Sequence, residues 1–325
     1  MFILFRCSAG GNHGWGNIKR LELIFRSLKK SHSFKYKFII NSNLEVENYL
    51  RSKKIDFISL NKNNEDKILK KINSVDLSIL ELLYCSLKIQ KKYKKISKRL
   101  VIFDDIAKRN YISDVLISCQ KKYFEIKKDD QCKHYNDYSY FPLTDNYDKY
   151  IKKKKKINKE IRIITVFIGG SNYIKDYIDL AKALSNTNYQ VIFLIGLENS
   201  AKIFQKIKEI SKRFKVKINS NNIPKYIFNS DVVISGGGYT KIEVAYLKTP
   251  VLCIPIHNHQ KELIKNFHDT FKIDKKLQNY SNKKDVISAL KYLNFKKRLK
   301  MSNIFSKKFK KNGVSNILKI INEKI

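Results

Sequence analysis

Ser230-Asp231-Val232-Val233-Ile234-Ser235-Gly236-Gly237-Gly238-Tyr239-Thr240-Lys241-Ile242-Glu243 runs from an apolar stretch through three glycines into a helical pattern. A continuous apolar run, without alternation, is what a strand covered on both faces requires. Glycine lets the backbone come close to a ligand, and the free N–H groups of a following helix favour an anion. The segment predicts a strand–loop–helix corner of a parallel α/β sheet with a diphosphate against the loop. Glu243, one turn into that helix, is placed to accept hydrogen bonds from ribose hydroxyls. Its bland alternative is an ordinary first-turn acid that favours the helix dipole.

The same rhythm extends in both directions. In the first half, Phe2–Phe5, Tyr36–Ile40, Ile55–Leu60, Val75–Leu80, Leu100–Phe103 and Val115–Ile117 read as strands. Ile18–Leu28, Leu44–Arg51, Lys67–Ile72 and Leu87–Ile96 read as the helices between them. In the second half the strands are Ile161–Ile168, Gln190–Ile195, Val216–Ile218, Val232–Ser235 and Val251–Ile254. Its helices are Ile174–Leu184, Ala201–Phe214, Thr240–Leu247 and Glu262–Thr270, followed by a basic helical tail over Lys283–Leu293 and Met301–Ile321. Such alternation argues for parallel sheets covered by helices. Between the halves lies the weakly periodic stretch Gln120–Tyr150, ending in five lysines, Lys152–Lys156, whose mutual repulsion suits a linker. Two α/β domains are expected, at 1–150 and 151–325, a division that fits the 325-residue length.

Two further glycine loops leave strands and enter helices: Gly10-Gly11-Asn12-His13-Gly14-Trp15-Gly16-Asn17, and Gly169-Gly170-Ser171. Ligands of open α/β sheets bind at the carboxyl ends of the strands, where these loops fall. The first does not fit the dinucleotide fingerprint, and a plain tight turn is its alternative.

The formal net charge of +38 has two readings. One is an anionic partner; the other is compositional bias, with lysine filling solvated positions. The dispersion of the lysines along the chain favours bias, and no nucleic-acid partner is expected. A weak contact with an anionic membrane surface is compatible with the charge. The five cysteines form no C-x-x-C pair, which argues against a disulfide framework and a zinc site and fits a reducing cytoplasm. Met1–Arg6 lacks the features of a signal peptide, and no apolar run reaches the length of a membrane span. A cytoplasmic protein without cofactor or metal is the expectation.

Four segments together resemble a known family. Gly14-Trp15-Gly16-Asn17-Ile18-Lys19-Arg20 resembles the glycine-rich opening motif of the UDP-diacetamido-trideoxy-sugar hydrolases of the pseudaminic-acid pathway, which group with predicted spore-coat polysaccharide glycosyltransferases. Val101-Ile102-Phe103-Asp104-Asp105-Ile106-Ala107-Lys108-Arg109, Thr165–Ser171 and the Ser230–Glu243 segment resemble three later motifs, in the same order. The resemblance implies the glycosyltransferase-B architecture, two Rossmann-like domains with UDP held mainly by the second. It also implies water attack on the anomeric carbon of a UDP-linked amino sugar, or transfer of that sugar to another acceptor. By matching position, Gly169, Gly170 and Ser171 border the nucleotide, and Ile223 lies near uracil. Gly237, Gly238 and Thr240 lie near the diphosphate, and Glu243 near the ribose. Gly14, Gly16, Arg20, Ser235, Gly236, His259 and Gln260 complete the implied UDP-sugar set.

The departures fall on the chemistry. The family places a histidine, the proposed general base of the hydrolases, where this chain has Asn17. Ser8 replaces the usual Asp, and His259 the Asn before Gln260. An amide accepts no proton at neutral pH, and general-base catalysis is worth about 10²–10⁴-fold. Three readings stay open: His13 serves as base, a different acceptor is used, or the chain binds the nucleotide with weakened activity. His13 is otherwise a solvated loop histidine.

Overall fold

A computed structural model describes residues 1–60, 64–106, 110–121, 126–170, 173–196, 198–279 and 283–323. The chain divides into two units, Met1–Leu143 with Asn312–Ile325, and Thr144–Lys311.

The first unit is built on strands β1 (Phe2–Ser8), β2 (Lys35–Asn41), β3 (Phe57–Ser59), β4 (Val75–Glu81), β5 (Ser97–Phe103), β6 (Val115–Ser118) and β7 (Lys133–Asn136). They pair in parallel in the order β3-β2-β1-β4-β5-β6-β7. Helices α1 (Gly16–Ser31), α2 (Leu44–Ser52), α3 (Glu65–Ile72) and α4 (Leu87–Ile96) alternate with the first strands. Helix α1 buries Ile18, Leu21, Ile24, Phe25 and Leu28, the spacing of one helical face. Phe25 meets the rings of Phe5 and Phe38 edge-on, and these two stack at 4.6 Å. Asn43 caps α2, its side chain accepting from the Val46 N–H at 3.1 Å.

In the second unit, strands β8 (Ile163–Phe167), β9 (Gln190–Ile195), β10 (Lys215–Ile218), β11 (Val232–Gly236) and β12 (Val251–Ile254) form a parallel sheet in the order β10-β9-β8-β11-β12. Its helices are α5 (Asp145–Ile151), α6 (Ile174–Leu184), α7 (Ser200–Ile210), α8 (Ile223–Asn229), α9 (Thr240–Tyr246), α10 (Asn258–Thr270), α11 (Lys276–Asn279), α12 (Val286–Tyr292) and α13 (Phe295–Lys308). The final helix, α14 (Val314–Asn322), belongs to the first unit. Among the described residues no helix is long and apolar enough to cross a membrane.

Four features depart from the sequence expectation. The Gln120–Tyr150 stretch contains β7, an edge strand whose polar residues Lys133-His134-Tyr135-Asn136 hid it from a search for apolar runs. Helix α8, of seven residues, is too short to show a helical period in the sequence; Pro224 sits in its first turn, where a missing N–H costs nothing. The five lysines lie inside the second unit. Lys155 among them donates to the carbonyls of Phe228 and Ser230, and burial lowers its pKa to about 8.

The fourth departure concerns the basic tail. Instead of one helix over Met301–Ile321, the chain breaks after Lys308 and crosses back to the first unit. Asn312 anchors the crossing by accepting from the Leu143 N–H and donating to the Leu143 carbonyl. A Cβ on Gly313 would lie 2.4 Å from the Phe141 carbonyl oxygen, so only glycine fits that approach. Arg99 then donates to the carbonyls of Ile320 and Ile321 at 2.8 and 2.5 Å, closing the end of α14 with a cation. The expected boundary at 150 therefore moves to Leu143/Thr144, and the last helix changes unit.

Candidate functional site

In the second unit the chain passes from β8 outward to β9 and β10, then returns to the other side of β8 to form β11 and β12. The order reverses between β8 and β11, and at the carboxyl ends of such a pair open α/β sheets hold their ligands. The loops leaving β8 and β11 carry Gly169-Gly170 and Gly237-Gly238. Ser171 lies outside the described residues.

Packing explains most of these glycines. Gly169 holds a φ of +129°, which side-chain-bearing residues avoid. A Cβ on Gly236 would stand 2.5 Å from the Ile168 carbonyl oxygen, and one on Gly237 would stand 2.6 Å from Gln260 Cβ. Gly170 lies against Gly196, whose added Cβ would come within 2.4 Å of the Gly170 oxygen. Gly238 differs. Its nearest neighbour would be Gln260 Nε2 at 4.0 Å, so the protein itself leaves that space open.

Several expected ligand groups are occupied internally. Ser235 is fully buried and donates to the Gly236 carbonyl, facing the sheet interior. Gln260 Oε1 accepts from the N–H groups of Gly237 and Ile256, at 3.0 and 2.9 Å. Both partners are donors, which fixes the amide orientation and aims Nε2 toward the space beside Gly238. The side chain expected on the ligand is thus a brace first, with one end presented to the loop. Thr240 is buried at the first position of α9. His259 is half-buried and stacks on the exposed His257 ring at 5.6 Å, while Tyr173 meets His257 edge-on at 5.7 Å. Burial first, then the charges of His257 and Lys241, lower the His259 pKa, so its imidazole is neutral at pH 7. Ile223 opens α8, after the edge strand β10.

Glu243 stands one turn into α9. Its Oε2 is buried without a hydrogen-bond partner, while its carboxyl takes a hydrogen bond from Tyr147 of α5. Burial raises the carboxyl to about 7, against the opposing hydrogen bond from Tyr147. Tyr147 lies far upstream in sequence and carries no motif, so only the fold joins it to Glu243. Lys241 was also missed. It is fully buried, and its Nζ donates to the carbonyls of Gly237 and Gly238 at 2.6 and 2.8 Å.

In the first unit the reversal falls between β1 and β4. The loop leaving β1 turns through Gly10, Gly11 and Gly14, with φ of +80°, +50° and +71°. It closes on itself through Gly10 N–H to the Gly14 carbonyl at 2.8 Å, before Gly16 begins α1. The His13 side chain reaches solvent, yet neighbouring atoms strip part of the hydration from its ring, and this partial desolvation, followed by the Arg6 charge, lowers its pKa. Asn17 is 8% exposed and its Nδ2 donates to the Ser8 carbonyl at 3.2 Å, tying the start of α1 to the end of β1.

Arg20, expected in the UDP-sugar set, is 4% exposed and paired with Glu81 at the end of β4 and with Asp105 at 3.1 Å. Its guanidinium lies 5.1 Å from the Phe103 ring centre. Asp105 also accepts from the Cys119 N–H at 2.6 Å, and Asp104 from the Tyr111 hydroxyl at 2.8 Å. The paired acids of the Asp104–Asp105 segment therefore organise this end of the sheet; Ala107, Lys108 and Arg109 lie outside the described residues. Burial raises Glu81 to about 7, with Arg20 opposing and the charges of Asp105 and Asp104 adding to the rise. Among the described residues no group of His, Cys, Asp and Glu side chains could hold a metal ion.

Comparison with known proteins agrees with this architecture. Residues 163–317 match the glycosyltransferase family 28 C-terminal domain. An uncharacterized protein of Methanocaldococcus jannaschii is 23% identical over 276 residues, 79% of this chain; the chain spans about half, 55%, of that relative's length. MurG of Acinetobacter baumannii superposes with a TM-score of 0.64 at 10% identity, over 99% of each chain. The UDP-GlcNAc 2-epimerase of Neisseria meningitidis, solved with UDP-GlcNAc bound, superposes at 0.58 and 12% identity over 100% of each chain. With its two parallel-sheet α/β units and a family 28-type match over 163–317, the chain has the glycosyltransferase-B fold.

Proposed function

We propose that the protein is a nucleotide-sugar enzyme that holds UDP in the second unit and transfers an amino sugar from it to an acceptor other than water. The observation that carries the nucleotide reading is Glu243 Oε2, buried without a partner one turn beyond the open space at Gly238. A buried oxygen without a donor costs about 1–3 kcal/mol, and a ribose hydroxyl is the group that would satisfy it. The match to a glycosyltransferase family 28 C-terminal domain and the UDP-GlcNAc of the Neisseria neighbour support a UDP-sugar as donor.

Asn17 favours transfer over hydrolysis. Its amide donates to the Ser8 carbonyl and has no basic nitrogen to activate water. The acceptor then brings its own nucleophile: its bond to the anomeric carbon forms as the bond to the diphosphate oxygen breaks, UDP departs, and the acceptor's proton passes to the departing UDP or to solvent. Hydrolysis is the second reading, and His13 favours it, because a lowered pKa keeps its exposed imidazole in the basic form. The five cysteines, all buried and none in a disulfide, fit a reducing cytoplasm. A weak contact of the basic surface with anionic membrane is part of the same proposal.

The test is UDP release from a panel of UDP-amino sugars, with and without candidate acceptors, read by mass spectrometry. Release that needs an acceptor supports transfer, and steady release in water alone replaces it by hydrolysis. Absence of binding to any UDP-sugar at about 1 mM, a free energy weaker than about −4 kcal/mol, overturns the nucleotide reading.

A further inference from the structure

Lys241 is among the largest fully buried side chains of the described residues. Taking an ammonium out of water costs several kcal/mol even after relaxation, and an apolar side chain of similar length would fill the space without that cost. A charge kept in such a place calls for a reason. Its surroundings supply one: Nζ donates to two successive carbonyls, Gly237 at 2.6 Å and Gly238 at 2.8 Å, and lies 5.8 Å from the Phe267 ring centre.

Each trans peptide unit points its C=O and its N–H in opposite directions. Drawing the Gly237 and Gly238 carbonyls onto one ammonium therefore turns the N–H groups of Gly238 and Tyr239 to the other side of the loop. A charge-assisted bond on the carbonyl also polarises the peptide and makes its N–H a stronger donor. Gly238 itself borders open space, since an added Cβ would meet nothing nearer than Gln260 Nε2 at 4.0 Å. The positive charge is felt nearby as well, lowering the pKa of both His259 and His268.

We propose that Lys241 is a buried positioning residue for a nucleotide diphosphate: by holding the Gly237 carbonyl it fixes the Gly238 N–H outward, and it supplies a positive charge beneath the phosphates. This rests on the reading of the glycine loop as the nucleotide site. No magnesium ion is needed for that part of the charge balance, and no surface lysine either. The ammonium does not touch the ligand; it acts through the Gly237–Gly238 peptide unit and through its charge.

The experiment measures UDP and uridine binding by calorimetry, with the melting temperature, for the full chain and for Lys241→Met and Lys241→Gln. Lys241→Met is expected to weaken UDP about tenfold or more, a change of about 1.4 kcal/mol, to leave uridine unchanged, and to melt below the parent, because the Gly237 and Gly238 carbonyls lose their donor. Lys241→Gln, which keeps donors for the carbonyls without the charge, is expected to fall between the two.

A loss shared equally by UDP and uridine would mark a purely structural residue and overturn the proposal, as would UDP affinity within twofold of the parent. Should Lys241→Met fail to fold, salt decides on the parent chain. A buried cation is poorly screened, so the affinity advantage of UDP over uridine should hold from about 0.05 to about 0.5 M salt. A steep fall would assign the charge to surface lysines and overturn the proposal. If the parent chain bound neither UDP nor uridine, the nucleotide reading itself would fail and this role with it. UDP binding retained by Lys241→Met removes only the role of the lysine.

Discussion

Gly238→Ala separates a glycine kept for a ligand from one kept for packing. A Cβ there meets nothing closer than Gln260 Nε2 at 4.0 Å. The residue is also absent from the glycines with positive φ, which are Gly10, Gly11, Gly14 and Gly169. Alanine is thus tolerated by the fold, and by narrowing the unfolded ensemble it should stabilise by about 0.4–1 kcal/mol. For a unit of this size that is a melting temperature about 1–4 °C higher.

The nucleotide should suffer the opposite effect. A methyl group standing where phosphate oxygens approach the loop pushes them off its N–H donors. Loss of one or two charge-assisted hydrogen bonds at about 1.5–3 kcal/mol each predicts UDP binding weaker by about 10–100-fold or more. Gly237→Ala provides the control, because its Cβ would lie 2.6 Å from Gln260 Cβ and 2.9 Å from Ile264 Cδ1. Overpacking of that kind costs about 1–3 kcal/mol. Differential scanning calorimetry and titration with UDP read both effects. A Gly238→Ala protein that melts higher and binds UDP as tightly as the parent would refute the assignment of the open space to a ligand.

Four further outcomes follow from the same geometry. Asn17→His should raise acceptor-independent UDP release by about 10²–10⁴-fold if the only missing element is a base; unchanged release in a product assay would show a site built for another acceptor. Arg20→Met leaves the buried Glu81 and Asp105 without their cation and should cost about 3–5 kcal/mol in urea unfolding, and a loss under 1 kcal/mol would contradict that. UDP affinity should rise with pH through about 7, because ribose hydroxyls bind the ionised Glu243 carboxylate; Glu243→Gln should flatten that profile, and a pH-dependence that survives it would point to another group. His268 is held at about 4, well below its usual 6.5, by burial first and the Lys241 charge second. The unfolded chain therefore takes up this proton first as pH falls, and the stability present above 6.5 is lost between 6.5 and about 4. At 1.36 kcal/mol per pH unit the loss at pH 5 is about 2 kcal/mol, and His268→Phe should remove it from urea titrations at pH 7 and 5.

Local chemistry was enough to read most of the scaffold from sequence. The apolar runs at Val232–Ser235 and Val251–Ile254 have no stable place except between two covered faces, and they form β11 and β12. Glycines directly after strands marked the loops at both sheet reversals, because close backbone approach and positive φ exclude other residues. That Asn17 carries no basic nitrogen is likewise a property of the residue itself. Other features depend on groups distant in sequence, and only tertiary structure decided them. Tyr147 reaches Glu243 from another helix, and Gly313 meets Phe141 across a gap of more than 150 positions. The motif gives no sign of the buried acids Glu81 and Asp105 that pair with Arg20, because only the fold brings those carboxylates within reach of its guanidinium. Lys241 shows the limit most plainly: in sequence it is one lysine among many, and its burial beneath the glycine loop comes from the packing of α9 and α10 around it. A side chain's charge is written in its identity, but the environment that gives the charge a use is assembled from the whole chain.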